Sequence, residues 1–152
     1  MVETVKIEGL KELDKKLSKL PVKVAFKALR GAMMKSTTVT FKLAKANALA
    51  TGIRGRDAGS TAAAMGRWTR KQGPNKTTLF IGPKNRNKKA LALYNEFHGT
   101  DAKYLKHFHL LEFGSVHGPA QPFLRPAFIS TRGQIMSSFR QNLKEMIEKA
   151  VA

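Results

Sequence analysis

From Val22 to Ala46 the chain places Val22, Ala25, Leu29, Ala32, Ser36, Val39, Leu43 and Ala46 at alternating spacings of three and four. That repeat puts them on one side of an α-helix. Lys23, Lys27, Arg30, Lys35, Lys42 and Lys45 fall largely outside the seam. The seam is rich in small residues, so a neighbouring element can approach closely. The spacing predicts one long helix from Val22. Gly31 costs about 1 kcal/mol relative to Ala in such a helix, and a bend is expected near it. Thr37, Thr38, Val39 and Thr40 lower the local propensity further.

A second amphipathic helix closes the chain, with Ile135, Phe139, Leu143, Met146, Ile147 and Ala150 on one face and Arg140, Lys144 and Glu148 off it. Other elements are shorter. Val5 and Ile7 alternate with Lys6 and Glu8, the pattern of a half-buried strand that Gly9 breaks. Leu10, Leu13 and Leu17 keep helical spacing up to Pro21. Thr77 to Ile81 reads as a buried strand stopped by Gly82-Pro83, followed by a basic turn over Lys84 to Lys89. Ala90 to Phe97 fits strand or helix equally. Tyr104 to Phe113 reads as a short helix ending at Gly114, and the proline-punctuated stretch Ser115 to Pro126 as a loop. The expected fold class is α+β: a small antiparallel sheet packed with a long helix from the N-terminal half and a C-terminal helix. At 152 residues the chain is expected to form a single domain.

Charge is the strongest compositional feature, with 28 Lys and Arg against 10 Asp and Glu and a net charge of +18. Between Lys15 and Asn95 the only acid is Asp57. A field of that sign attracts polyanions and acidic protein surfaces and repels copies of itself. Glycines, Pro74 and the cations Arg54, Arg56, Arg67, Arg70 and Lys71 mark residues 51–76 as an irregular, mobile basic arm. Those five cations are the candidate contacts to DNA or to an acidic partner. A short helix over Ser60 to Arg67 is compatible with this stretch. Trp68 among them either stacks on bases or anchors the arm to the core.

Several classes of function find little support. No stretch approaches the roughly 20 apolar residues of a membrane span, and the first residues carry no signal-peptide core. No cysteine is present, so thiolate metal sites, disulfides and cysteine nucleophiles are excluded. His107, His109, Glu112 and His117 lie close in sequence, but on a helix an HxH pair diverges by about 200° and lacks the shared face of HExxH ligands. No metal and no cofactor are expected. No GxxxxGK[ST] phosphate loop is present. A basic nuclease using His107 or His109 is the only enzymatic reading that the residues offer.

The most distinctive stretch is Leu110-Leu111-Glu112-Phe113-Gly114-Ser115, followed by Gln121-Pro122-Phe123-Leu124-Arg125-Pro126-Ala127. Pro122 and Pro126 fix φ and remove donors, which predicts an extended segment presenting Phe123 and Leu124. Arg125 is placed to form a bidentate pair with Glu112. These two blocks resemble the pattern of the gp-ten-like proteins of phage HK-ninety-seven, which are minor tail, neck or tail-completion proteins. The layout of Ile7 to Leu13, Leu20-Pro21, Thr51-Gly52 and Ile81-Gly82-Pro83 is similar too. Ile53 to Gln72 and Leu91 to Lys106 depart from that pattern.

The resemblance implies a structural virion protein, not an enzyme: a ring of six-fold or twelve-fold symmetry at the head–tail junction, made in the host cytoplasm. Its partners would be further copies of itself, neighbouring head-completion and tail-tube or tail-terminator proteins, and double-stranded DNA held without sequence preference. By the same resemblance Glu112, Phe113, Gly114, Pro122, Phe123, Arg125 and Pro126 shape the fold or a subunit contact. A stand-alone, sequence-nonspecific nucleic-acid-binding module is the alternative that charge alone favours.

Overall fold

The computed structural model describes residues 10–50, 58–73, 76–103, 105, 108–116 and 118–151. The chain is α+β, with a long C-terminal helix packed on helices of the N-terminal half and one antiparallel strand pair. In chain order the elements are α1 (Leu10–Ser18), α2 (Val22–Ser36), α3 (Thr38–Ala50), α4 (Ala58–Ala64), β1 (Met65–Lys71), β2 (Thr77–Pro83), α5 (Lys88–His98), α6 (Phe108–Phe113) and α7 (Leu124–Val151). The strand expected over Glu3 to Glu8 lies outside the described residues.

The long helix of the seam is two helices, and they part at Thr37 rather than bending at Gly31. The cause is local. The hydroxyls of Thr37 and Thr38 donate to the carbonyls of Met33 (2.8 Å) and Met34 (3.1 Å), offering that backbone an alternative to the helical ladder. Gly31 serves close approach instead. A Cβ there would lie 2.7 Å from Sδ of Met146 on α7. The packing below the break follows from the small residues of the seam. Ala32 of α2 is fully buried with Leu13 of α1 and Leu143 and Ile147 of α7. Above it, the buried hydroxyls of Thr40 and Thr131 meet at 2.7 Å and tie α3 to α7, beside a second core of Ala44, Ala48, Ala62, Met65, Leu111, Phe123 and Ala127.

Much of the stretch read as a mobile basic arm is regular structure. Residues 58–64 form α4 and 65–71 form β1, which pairs antiparallel with β2 from Met65↔Pro83 to Lys71↔Thr77. Residues 51–57 and 74–75 lie outside the described set. Of the glycines that suggested irregularity, Gly59 lies in α4 and Gly66 on β1 opposite Gly82, while Gly52 and Gly55 fall outside the described residues. Gly82 and Pro83 belong to β2 instead of stopping it, and Pro83 is tolerated because it ends the strand. β2 is half-buried along most of its length, not fully buried.

The ambiguous segment Ala90 to Phe97 is helical. Asn87 accepts from Ala90 N–H at 3.1 Å and caps α5, and Gly99 closes it at φ 62°. Helix α6 is described over Phe108–Phe113 and Leu105 is outside any helix; Tyr104, Lys106 and His107 fall outside the described residues. The expected loop Ser115 to Pro126 ends early, because Leu124, Arg125 and Pro126 are the first turn of α7.

A capped helix start, an uncovered corner and a basic hairpin

The two sequence blocks meet at one joint. Glu112, on the last turn of α6, reaches the N-terminus of α7. Its Oε2 accepts the backbone N–H groups of Phe123 and Leu124, both at 3.0 Å, and its Oε1 that of Arg125 at 2.8 Å. These donors have no partner within the helix, and the positive end of the helix dipole favours a carboxylate there. Pro126, third in the helix, has no N–H to satisfy, so its position in the first turn is without cost. The predicted bidentate pair is therefore corrected. Glu112 engages the backbone of Arg125, not its guanidinium, and the three converging N–H groups take most of the acceptor capacity of its two oxygens. The segment expected to be extended is a helix start for the same reason.

The rest of the joint is equally constrained. Phe123 is fully buried, its carbonyl accepts from Asn47 Nδ2 at 3.2 Å, and the backbone of Gln121 donates to Leu111 at 2.8 Å. Gly114 stops α6 at φ 82°, where a Cβ would stand 2.9 Å from the backbone nitrogen of Ala120. Pro122 precedes the helix and is exposed. Of the block residues, Glu112, Gly114, Phe123 and Pro126 thus have internal roles in the fold.

Phe113 does not. It is 78% exposed, and Leu110, Phe128 and Ile129 on the same two helices are exposed as well. An open apolar groove of about 600 Å³ adjoins them, lined by Met33, Ala44, Leu79, Ile81, Leu124 and Phe128, with Phe113 and Arg125 also on its wall. Isolated exposed apolar residues are ordinary; a cluster of large ones beside a groove marks a surface that something covers. Arg125 is exposed and makes no ion pair among the described residues. Phe128 and Ile129, just past Pro126-Ala127 on α7, are not among the contact residues that the two blocks suggest.

The hairpin carries the charge. Arg67, one of the five predicted contact cations, is directed inward: its guanidinium donates to the Met34 carbonyl at 2.6 Å and to the Thr38 hydroxyl at 3.0 Å, and lies 4.8 Å from the centre of the Phe41 ring. It closes the C-terminal end of α2, and burial draws its pKa below the usual arginine value. Arg67 is corrected to a structural residue. Arg70 and Lys71 are exposed, and Lys71 Nζ stands 5.5 Å from the Phe26 ring. Arg54 and Arg56 lie outside the described residues. Cations that the sequence reading did not select, Lys76, Lys84 and Arg86, are exposed on the same hairpin and the turn after it. From Ala58 to Asn95 no Asp or Glu offsets them. Trp68, which alternation places on the same side of β1 as Arg70, stacks on Phe80, ring centres 5.6 Å apart and 12° from parallel, with Lys84 Nζ 5.6 Å from the indole. Trp68 is anchored by that pair.

Of the histidine candidates, His109 is exposed on α6 and His107 and His117 lie outside the described residues. Among the described residues no three His, Asp or Glu side chains come together as metal ligands, and no helix is long and apolar enough to cross a membrane. Compared with protein-family models, with curated proteins and with solved structures, the chain matches none.

Proposed function

We propose that this chain is a structural virion protein of a tailed bacteriophage or prophage, a ring-forming neck or tail-completion subunit that joins head to tail around the DNA path. Its work is docking rather than chemistry. The observation that carries this reading is the corner where α6 meets α7. There Glu112 and Gly114 fix the backbone, while Phe113, Phe128 and Ile129 remain uncovered beside an apolar groove. A rigid joint that presents apolar side chains to solvent suits a subunit whose surface is completed by assembly. Glu112, Phe113 and Gly114 also belong to the first of the two blocks that carry the sequence resemblance to the phage family. The basic hairpin supplies the second requirement, exposed cations (Arg70, Lys71, Lys84 and Arg86) that hold phosphates without reading bases. Electron microscopy of particles made without the protein tests the proposal: filled heads and finished tails that stay apart are expected, and intact infectious virions would refute it.

The hairpin also favours a second reading, a free nucleic-acid-binding module. The two readings separate on association state and location. Copies bound at the head–tail junction support the first; a DNA-binding monomer that never enters particles supports the second. A nuclease is tested by degradation assays with His107→Ala and His109→Ala.

A further inference from the structure

The groove beside α7 has a counterpart elsewhere on the chain. Helix α5 packs against α4, burying Ala90, and turns Leu93 and Phe97 outward. These residues are one helical turn apart, 38% and 49% exposed, and Glu96 is exposed beside them. We infer that α5 of one copy seats in the groove of the next, with Leu93 and Phe97 entering the apolar lining and Glu96 meeting Arg125. The contact rests on the ring-forming role proposed above and names the two faces that would build it.

Three observations lead there. The groove wall is apolar apart from few groups, and Glu112, one of these, already has both oxygens engaged by backbone N–H groups. Arg125 on that wall and Glu96 on α5 both lack an ion-pair partner among the described residues. An exposed acid beside two exposed apolar residues on α5 matches what the groove and Arg125 offer. Helices dock in grooves through apolar anchors one turn apart, which is the spacing of Leu93 and Phe97. Because donor helix and acceptor groove are different surfaces, the contact is head-to-tail, and repetition closes a ring where the rotation allows. Copies of this charge repel, so the association strengthens as salt screens that repulsion, opposite in sign to DNA binding.

The absence of cysteine gives a direct test. Phe97→Cys and Phe128→Cys proteins, mixed and mildly oxidised, are expected to form a disulfide heterodimer about ten-fold faster than Phe97→Cys mixed with Val22→Cys, since a docked pair raises the effective concentration. Phe97→Cys/Phe128→Cys in one chain should give a ladder of covalent oligomers. Adding Glu96→Arg to the Phe97→Cys chain should slow heterodimer formation about three-fold, and Arg125→Glu in its Phe128→Cys partner should restore the rate. Equal rates for the two mixtures would overturn the contact. That result leaves the virion role standing, since the virion role is judged on particles lacking the protein.

Discussion

The α6–α7 joint and the β1–β2 hairpin are both built on a charged side chain that completes a helix end, yet they leave opposite things uncovered. At the joint Glu112 satisfies the start of α7, and what remains outside is apolar: Phe113, Phe128 and Ile129. At the hairpin Arg67 satisfies the end of α2, and what remains outside is cationic: Arg70, Lys71, Lys84 and Arg86. The pairing of charge with dipole is correct in each case, a carboxylate at an N-terminus and a guanidinium at a C-terminus. The lesson is that residues singled out by charge or motif divide into those that hold the backbone and those that are left to meet a partner. Substitutions should separate the two groups cleanly.

The largest loss of stability is expected from Gly114→Val, which combines a positive φ with a backbone clash at Ala120 and should cost about 3–4 kcal/mol in denaturant unfolding. Glu112→Ala strands three N–H groups and should cost about 3 kcal/mol, with Glu112→Gln retaining part of the difference. A fully stable Glu112→Ala protein would mean that the joint is not held as described. At the hairpin, neutralising Arg70, Lys71, Lys84 and Arg86 together should reduce the salt slope of duplex DNA binding by up to about 3–4, with little change in stability. Arg67→Met should do the reverse: lose roughly 1–2 kcal/mol of stability and leave the slope unchanged. An altered slope in Arg67→Met would erase the distinction between its role and that of its neighbours. The smallest effect is expected at Gly31→Ala, within about 1 kcal/mol of wild type, because improved helix propensity offsets displacement of the flexible Met146 tip.

How much of this was legible in the sequence depended on range. Helical spacing found α1, the seam and the C-terminal helix, because periodicity is a property of neighbours along the chain. It joined α2 to α3, since the hydroxyl bonds that break the helix at Thr37 compete with propensity rather than with apolar spacing. Asn87 and Gly99 bracket α5 with ordinary capping residues, a signal that was present and unused. The arm was misjudged because glycines and cations describe a hairpin's exposure as well as a loop's. Its second strand is legible over Thr77 to Ile81, two residues short of its end at Pro83, but pairing between strands is not written in either one alone. At the joint the right residues were selected for a contact they do not make. Nothing local indicates that the backbone of residues 123–125, not a side chain, would claim Glu112.

Particles lacking the native protein, supplied with either wild-type chain or a Phe113→Ser/Phe128→Ser variant shown to unfold at the wild-type denaturant midpoint, can be scored by electron microscopy for heads joined to tails. Wild type should restore joining and the doubly substituted chain should leave heads and tails separate. Full restoration by the variant would contradict the assignment of that corner to assembly.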